Sequence, residues 1–198
     1  MKVLTTLTSP YGRIVRAFII EKGFEDRTEI VPTVTRTPDT PVLDVNPSGR
    51  VPTLIADDGT MFEESALICA YLDSLEDPQV LAPDDWNVRI LEARARSMLD
   101  GFAVWVREVR RPENEQSPSI VAHEKSRAHR LAGVFDKLVA DGAFDGQLDL
   151  AQLTLGCTLH GRDGKPDGFD WRGSNPNLAA WVDRFGSRKS MQETLPPG

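Results

Sequence analysis

Over the first third of the chain, apolar positions come in short bursts broken by turn residues; after that they settle into a helical period. Residues 2–6 form a β-rich run. Ser9-Pro10 reads as a helix start, with Ser as N-cap and Pro at the first helical position. Ile14, Val15, Phe18 and Ile19 supply a helical stripe that Gly23 stops. Residues 28–31 predict a second strand. Residues 33–46 contain Pro38, Pro41 and many polar side chains, which predicts loop with one short helix. Runs at 53–56 and 60–62 flank Asp58-Gly59 and predict a hairpin with a type I′ turn. Glu64 then opens a helix with Leu67, Ile68, Tyr71, Leu72 and Leu75 on one face.

This order, β-α-β-(α)-β-β-α, matches the thioredoxin-like arrangement of a mixed sheet with helices packed on it. Residues 77–85, with Pro78 and Pro83, read as a linker, and the rest is helical. Leu91, Ala95, Met98, Phe102, Trp105 and Val109 recur at steps of three and four, the period of a long amphipathic helix. Residues 111–118 break it. Ala128, Leu131, Phe135 and Leu138 repeat the pattern, and residues 149–159 and 178–185 predict two more helices. The polar, Gly-rich stretch 161–177 predicts a loop. The expected organisation is a thioredoxin-like α/β domain over 1–77, a linker over 78–85 and an all-α domain over 86–198.

Charge narrows the partners. The 198 residues carry a net charge of −7. Residues 1–78 hold 7 Lys/Arg against 13 Asp/Glu, and residues 79–198 hold 16 against 17. Neither part is basic, so nucleic acid is not an expected partner. Any anionic ligand needs local donors. Cys69 and Cys157 stand far apart in no CxxC pair, which fits a reducing compartment and no disulfide scaffold. Met1 leads straight into a strand pattern with no expected leader, and no apolar run nears the ~18 residues of a membrane span. A cytoplasmic protein is expected.

The segment richest in chemistry is Asn46-Pro47-Ser48-Gly49-Arg50-Val51-Pro52-Thr53-Leu54. A cis Val51-Pro52 bond would turn the chain so that Val51 offers its N–H and C=O to a cleft. A cis X-Pro costs only ~0.5–1 kcal/mol over trans, and an exposed strand-like edge suits main-chain pairing with a short peptide. Taken alone, the segment also reads as a loop before a strand-initiating proline. Together with Phe62-Glu63-Glu64-Ser65 and the C-terminal helices, however, it closely resembles the cytosolic glutathione transferases over nearly the whole chain. The resemblance implies that Val51 and Pro52 pair with the cysteinyl backbone of glutathione. It also implies that Glu64 and Ser65 hold its γ-glutamyl end and that Arg50 takes the glycyl carboxylate. The physics is compatible. Ser65 would lie at a helix N-terminus, which favours a carboxylate, and an Arg fork can bond both carboxylate oxygens.

Ser9-Pro10-Tyr11-Gly12-Arg13 is the candidate catalytic segment, since relatives place a Ser, Cys or Tyr after the first strand. A Ser9 hydroxyl can donate to the glutathione thiolate. Lowering a thiol from ~8.5 by two units requires roughly 2.7 kcal/mol, about what one hydrogen bond to a charge and a helix terminus supply. Ser before Pro is also an ordinary cap. With Ser rather than Cys at position 9, disulfide exchange has no nucleophile there. Cys69 reads as helix core and Cys157 as a buried small residue. The family's electrophile pocket lies between the domains, which points to Tyr11, Phe102 and Trp105, although Phe102 and Trp105 also fit a core. His123, His129 and His160 have no metal-ligand spacing, so no metal is expected. Asp149-Leu150-Ala151-Gln152 sits at the family's capping box and can cap reciprocally. The resemblance thus implies a homodimeric glutathione transferase that conjugates glutathione, its co-substrate, to a small hydrophobic electrophile in detoxification. The alternatives are a non-catalytic binding or regulatory relative, or a glutathione-dependent isomerase, dehalogenase or peroxidase.

Overall fold

A computed structural model describes residues 1–81, 85–161 and 168–197. Pro83 of the expected linker and residues 162–167 of the expected loop lie outside the described residues. Strands β1 (Lys2–Thr5), β2 (Glu29–Pro32), β3 (Thr53–Ile55) and β4 (Met61–Glu63) form one sheet in the order β2-β1-β3-β4. β1 runs parallel to β2 and antiparallel to β3, and β3 pairs antiparallel with β4. Helix α1 (Pro10–Lys22) links the parallel pair, and α2 (Ser65–Ser74) follows β4. Ile14, Val15, Ala17 and Phe18 of α1 are fully buried, as the apolar stripe requires. Ser9 caps the helix and Gly23, at φ 68, closes it. The expected short helix in the 33–46 loop is a 3-10 turn over Pro41–Asp44.

Two local expectations need correction. The β3–β4 turn is not type I′, which requires positive φ at both central residues. Among the described residues only Arg36 and Glu64 are non-glycine positions with positive φ, so Asp58 does not meet that condition. Gly59, at φ 85, donates to the Ala56 carbonyl at 3.0 Å, while Asp58 Oδ1 accepts from Thr60 N–H at 2.9 Å. The loop is therefore three residues long, with glycine in the left-handed position. Leu67, assigned to the buried face of α2, is 54% exposed; Ile68 and Leu72 carry that face.

The helical part comprises α3 (Trp86–Val109), α4 (Pro118–Ala140), α5 (Leu150–Leu159), α6 (Pro176–Gly186) and the short α7 (Lys189–Glu193). The stripe on α3 faces inward over Ala95, Met98, Phe102 and Trp105, all buried, but Val109 at its end is 41% exposed. Phe169 packs edge-on against Phe102, centroids 5.0 Å apart, and Trp105 at 6.3 Å. The stretch expected to be polar loop thus contributes Phe169 and Trp171 to the core. Asp149 and Gln152 form the reciprocal capping box at the start of α5.

The C-terminal segment locks onto α1. Arg13, 1% exposed, donates to the carbonyls of His160 at 2.5 Å and Met191 at 2.9 Å. Glu21 accepts a two-pronged pair of bonds from Arg188, at 2.8 and 2.7 Å, and one from Ser190. Burial pushes the Glu21 carboxyl up, but the bonds from Arg188 and Ser190 outweigh it and the net direction is down. A carboxyl lowered by folding stabilises the fold above its unfolded pKa, and that contribution is lost as pH falls through its folded pKa. Glu21→Gln should therefore cost about 1 kcal/mol at pH 7, the upper range for a pair whose arginine is open to solvent. In urea unfolding followed from neutral to acid pH, the gap between variant and parent should close below about pH 4. A gap independent of pH would contradict this assignment.

Candidate functional site

A cleft of about 950 Å³ opens between the loops at one end of the sheet and the exposed side of α3. Ser9, Pro10 and Tyr11, the 48–52 segment, and Glu63, Glu64 and Ser65 line one wall. Arg96, Asp100, Ala103, Val104, Arg107 and Arg110 line the other.

The 46–53 segment is held from beneath by Asn46, which is fully buried. Its Nδ2 donates to Thr53 Oγ1 at 2.8 Å and to Glu63 Oε2 at 3.0 Å, and its Oδ1 accepts from Ser48 N–H at 2.9 Å. Hydrogen bonds from Ser48 first, then Asn46, hold the Glu63 carboxyl below its usual range. Val51-Pro52 is cis. Pro52 is buried, and the Val51 N–H and C=O find no hydrogen-bond partner among the described residues. The Arg50 side chain is exposed, with no ion pair among the described residues.

Glu64 precedes α2 at φ 73 and ψ 119, a conformation that costs a non-glycine residue of order 1–3 kcal/mol. Strain of this kind concentrates at ligand sites, and both described non-glycine residues with positive φ, Glu64 and Arg36, line this cleft. Ser65, 1% exposed, begins the helix, and the first N–H groups of α2 lack helical acceptors. Arg96 reaches across from α3. Its Nη1 donates to Ser65 Oγ at 3.1 Å and lies 3.9 Å from Glu64, while its Nε donates to Glu92 at 2.8 Å.

Ser9 Oγ accepts from Gly12 N–H at 3.1 Å, so it is a helix cap. Its own proton has no acceptor among the described residues. A Cβ at position 12 would lie 1.9 Å from Thr5 Oγ1. Glycine there lets α1 start hard against β1 and fixes where Ser9 stands. Tyr11 donates to Asp100 Oδ1 at 2.5 Å. Burial pushes the phenol up; the bond to Asp100 and that carboxylate's charge add to it, against Arg107 and Arg96. Tyr11 therefore stays protonated.

Ser9, Tyr11, Arg50, Val51, Pro52, Glu64 and Ser65 thus share one cleft. Phe102 and Trp105 do not, and their assignment to the pocket wall is corrected. They are 1% and 3% exposed and face Phe169 in the helical core. The α3 residues that do face the cleft went unassigned, although Arg96, Asp100, Ala103 and Arg107 follow steps of four, three and four and so mark one helical face. His123, His129 and His160 are not among the lining residues. Cys69 and Cys157 are buried, and burial pushes the Cys69 thiol up.

Residues 8–75 match the family model described as glutathione S-transferase, N-terminal domain. Over 99% of each chain the protein is 30% identical to a glutathione S-transferase from Methylobacillus flagellatus solved with GSH bound, at a TM-score of 0.86. The chain belongs to the glutathione S-transferase family. A glutathione transferase family member from Pseudomonas fluorescens with bound glutathione is 25% identical, with a TM-score of 0.90 over 100% of this chain and 99% of that one. An uncharacterized GST-like protein of Escherichia coli K12, YibF, is 27% identical over 100% of this chain and 99% of its own. Fold and family agree with the sequence reading: a mixed-sheet thioredoxin-like part followed by helices.

Proposed function

We propose that this glutathione S-transferase family member is a working transferase that binds glutathione in the cleft, stabilises its thiolate and conjugates it to an electrophile. The observation that carries the reading is one cleft presenting a Val51 backbone and a Ser9 proton that have no partner among the described residues, beside the start of α2 at Ser65. Val51 pairs with the cysteinyl backbone of glutathione, and the start of α2 takes the γ-glutamyl carboxylate. Glu64 accepts from the ammonium, and Arg50 forks onto the glycyl carboxylate. Arg96 positions Ser65 from the opposite wall. Ser9 then donates to the sulfur, and the N-terminus of α1 adds a favourable field.

Glutathione held by structural relatives supports this assignment. Residues 1–77 would form the glutathione-binding domain, and 86–198 the helical domain that closes the cleft. On this reading the protein is a detoxifying homodimer that works in the cytoplasm. Large exposed apolar side chains at Leu67, Trp86 and Ile90 support self-association, which light scattering reads directly.

The capping bond at Ser9 favours a second reading, a glutathione-binding relative without turnover. Purified protein should be retained on immobilised glutathione and should convert chlorodinitrobenzene. Retention without conversion of any electrophile in a panel would establish the second reading, and no retention would remove both.

A further inference from the structure

The outer half of the cleft is positive in an acidic protein. Arg36 comes from the loop after β2, at φ 65, and Arg107 and Arg110 come from the end of α3. These three side chains also line an adjoining depression of about 530 Å³ with Val104, Glu108 and Arg111. A helix C-terminus favours cations, which accounts for arginine on α3. It does not account for Arg36 facing them from the other wall.

Four of the acids nearby are engaged by other groups, and Glu64, which also lines the cleft, lies 3.9 Å from Arg96. Glu108, 9% exposed, accepts from Ser117 N–H at 2.5 Å, Asp100 accepts from Tyr11, and Glu115 pairs with Arg111 at 3.4 Å. Glu63 accepts from Asn46 and Ser48. Arg36, Arg107 and Arg110 carry no ion pair among the described residues. Three cations at one opening repel one another, and an anion entering between them would relieve that repulsion. Val104, 39% exposed, and the half-buried Tyr11 ring supply an apolar shelf beside them.

We propose that the electrophile is an anion, a compact apolar body carrying a carboxylate that Arg107 and Arg110 hold, with Arg36 closing from across the cleft. This rests on the transferase reading and replaces the purely hydrophobic electrophile that the family resemblance implied. Arginine suits a carboxylate because its fork bonds both oxygens. With 4-chloro-3,5-dinitrobenzoate as probe, the thiolate lone pair forms a C–S bond at the chlorine-bearing carbon and the displaced π pair moves onto the nitro-substituted ring. That pair returns as the C–Cl bond breaks and chloride leaves with its electrons. The only proton released is the one glutathione gave up on forming the thiolate.

The test compares two conjugates by calorimetry, so it reads the site even without turnover. S-(4-carboxy-2,6-dinitrophenyl)glutathione should bind about tenfold tighter than S-(2,6-dinitrophenyl)glutathione, as expected for a charge-assisted pair. In Arg107→Ala/Arg110→Ala this ratio should fall below about twofold, and Arg36→Ala, on the opposite wall, should lower it in part. In turnover, the ratio of kcat/KM for 4-chloro-3,5-dinitrobenzoate over 2-chloro-1,3-dinitrobenzene should fall by the same factor in the double variant, which cancels intrinsic reactivity. Equal binding of the two conjugates by the parent protein, or a preference that survives the double variant, overturns the proposal and leaves the transferase reading intact. Failure to bind either conjugate, with no retention on glutathione, overturns that reading and the proposal with it.

Discussion

Asp73→Ala is expected to cost about 3–5 kcal/mol, the range for removing one partner of a buried ion pair. Asp73 is 3% exposed, near the end of α2. Its Oδ1 accepts from Val80 N–H and its Oδ2 from Leu81 N–H, each at 2.8 Å, and Lys22 Nζ lies 3.1 Å away. The Lys22 and Asp73 side chains are 5% and 4% exposed. Lys22 also donates to the carbonyls of Glu76 and Pro78. One carboxylate therefore holds both the end of α1 and the segment leaving α2. Alanine would leave the Val80 and Leu81 N–H groups without acceptors and the buried ammonium without its counter-charge. Lys22→Met should cost less, because the carboxylate would keep both of its N–H donors. Asp73→Asn should fall between the two variants, since its NH₂ must face either an N–H or the ammonium. Urea unfolding of the three checks the order. For a chain of this size the alanine variant should melt about 10 °C lower. Equal losses for Lys22→Met and Asp73→Ala would mean that the N–H bonds carry little of the energy.

That clamp was not legible in the sequence, because it depends on Asp73 meeting residues in a segment read only as linker. Features within one element were legible. Ser9-Pro10 and Gly23 bracket α1, Asp149 and Gln152 cap α5, and the stripe on α3 points to the core. That success also explains the error over Phe102 and Trp105: a stripe periodic enough to mark a core has no face left for a cleft. The cleft face is the neighbouring stripe of Arg96, Asp100, Ala103 and Arg107, which has the same period but is mostly polar and so carries no hydrophobic signal. The Asp58 turn was misjudged because Asp58-Gly59 signals more than one hairpin geometry. Arg36 could not be placed at all, since its position depends on a left-handed backbone in a loop whose partner is more than sixty residues away along the chain.

On the transferase reading, Ser9→Ala should lower kcat/KM at pH 7 by about 10- to 100-fold, the equivalent of the ~1.5–3 kcal/mol carried by a hydrogen bond to a charged group. The acid limb of the pH–rate profile should move up toward the ~8.5 of a free thiol. The same change removes the acceptor for Gly12 N–H and should cost about 1 kcal/mol of stability. Activity and stability therefore fall together in this variant, and it cannot by itself separate chemistry from capping. Ser9→Asp can. Aspartate caps a helix as well as serine does, so stability should stay near the parent's, but its charge beside the sulfur opposes the thiolate. Its activity should drop at least as far as that of alanine, and its pH profile should shift further up. Ser9→Asn supplies the third arm, because it caps and still offers an N–H to the sulfur, so it should retain more activity than either. A stable Ser9→Asp protein with an unchanged pH profile would reduce Ser9 to a cap and leave the N-terminus of α1 as the group that activates the thiol.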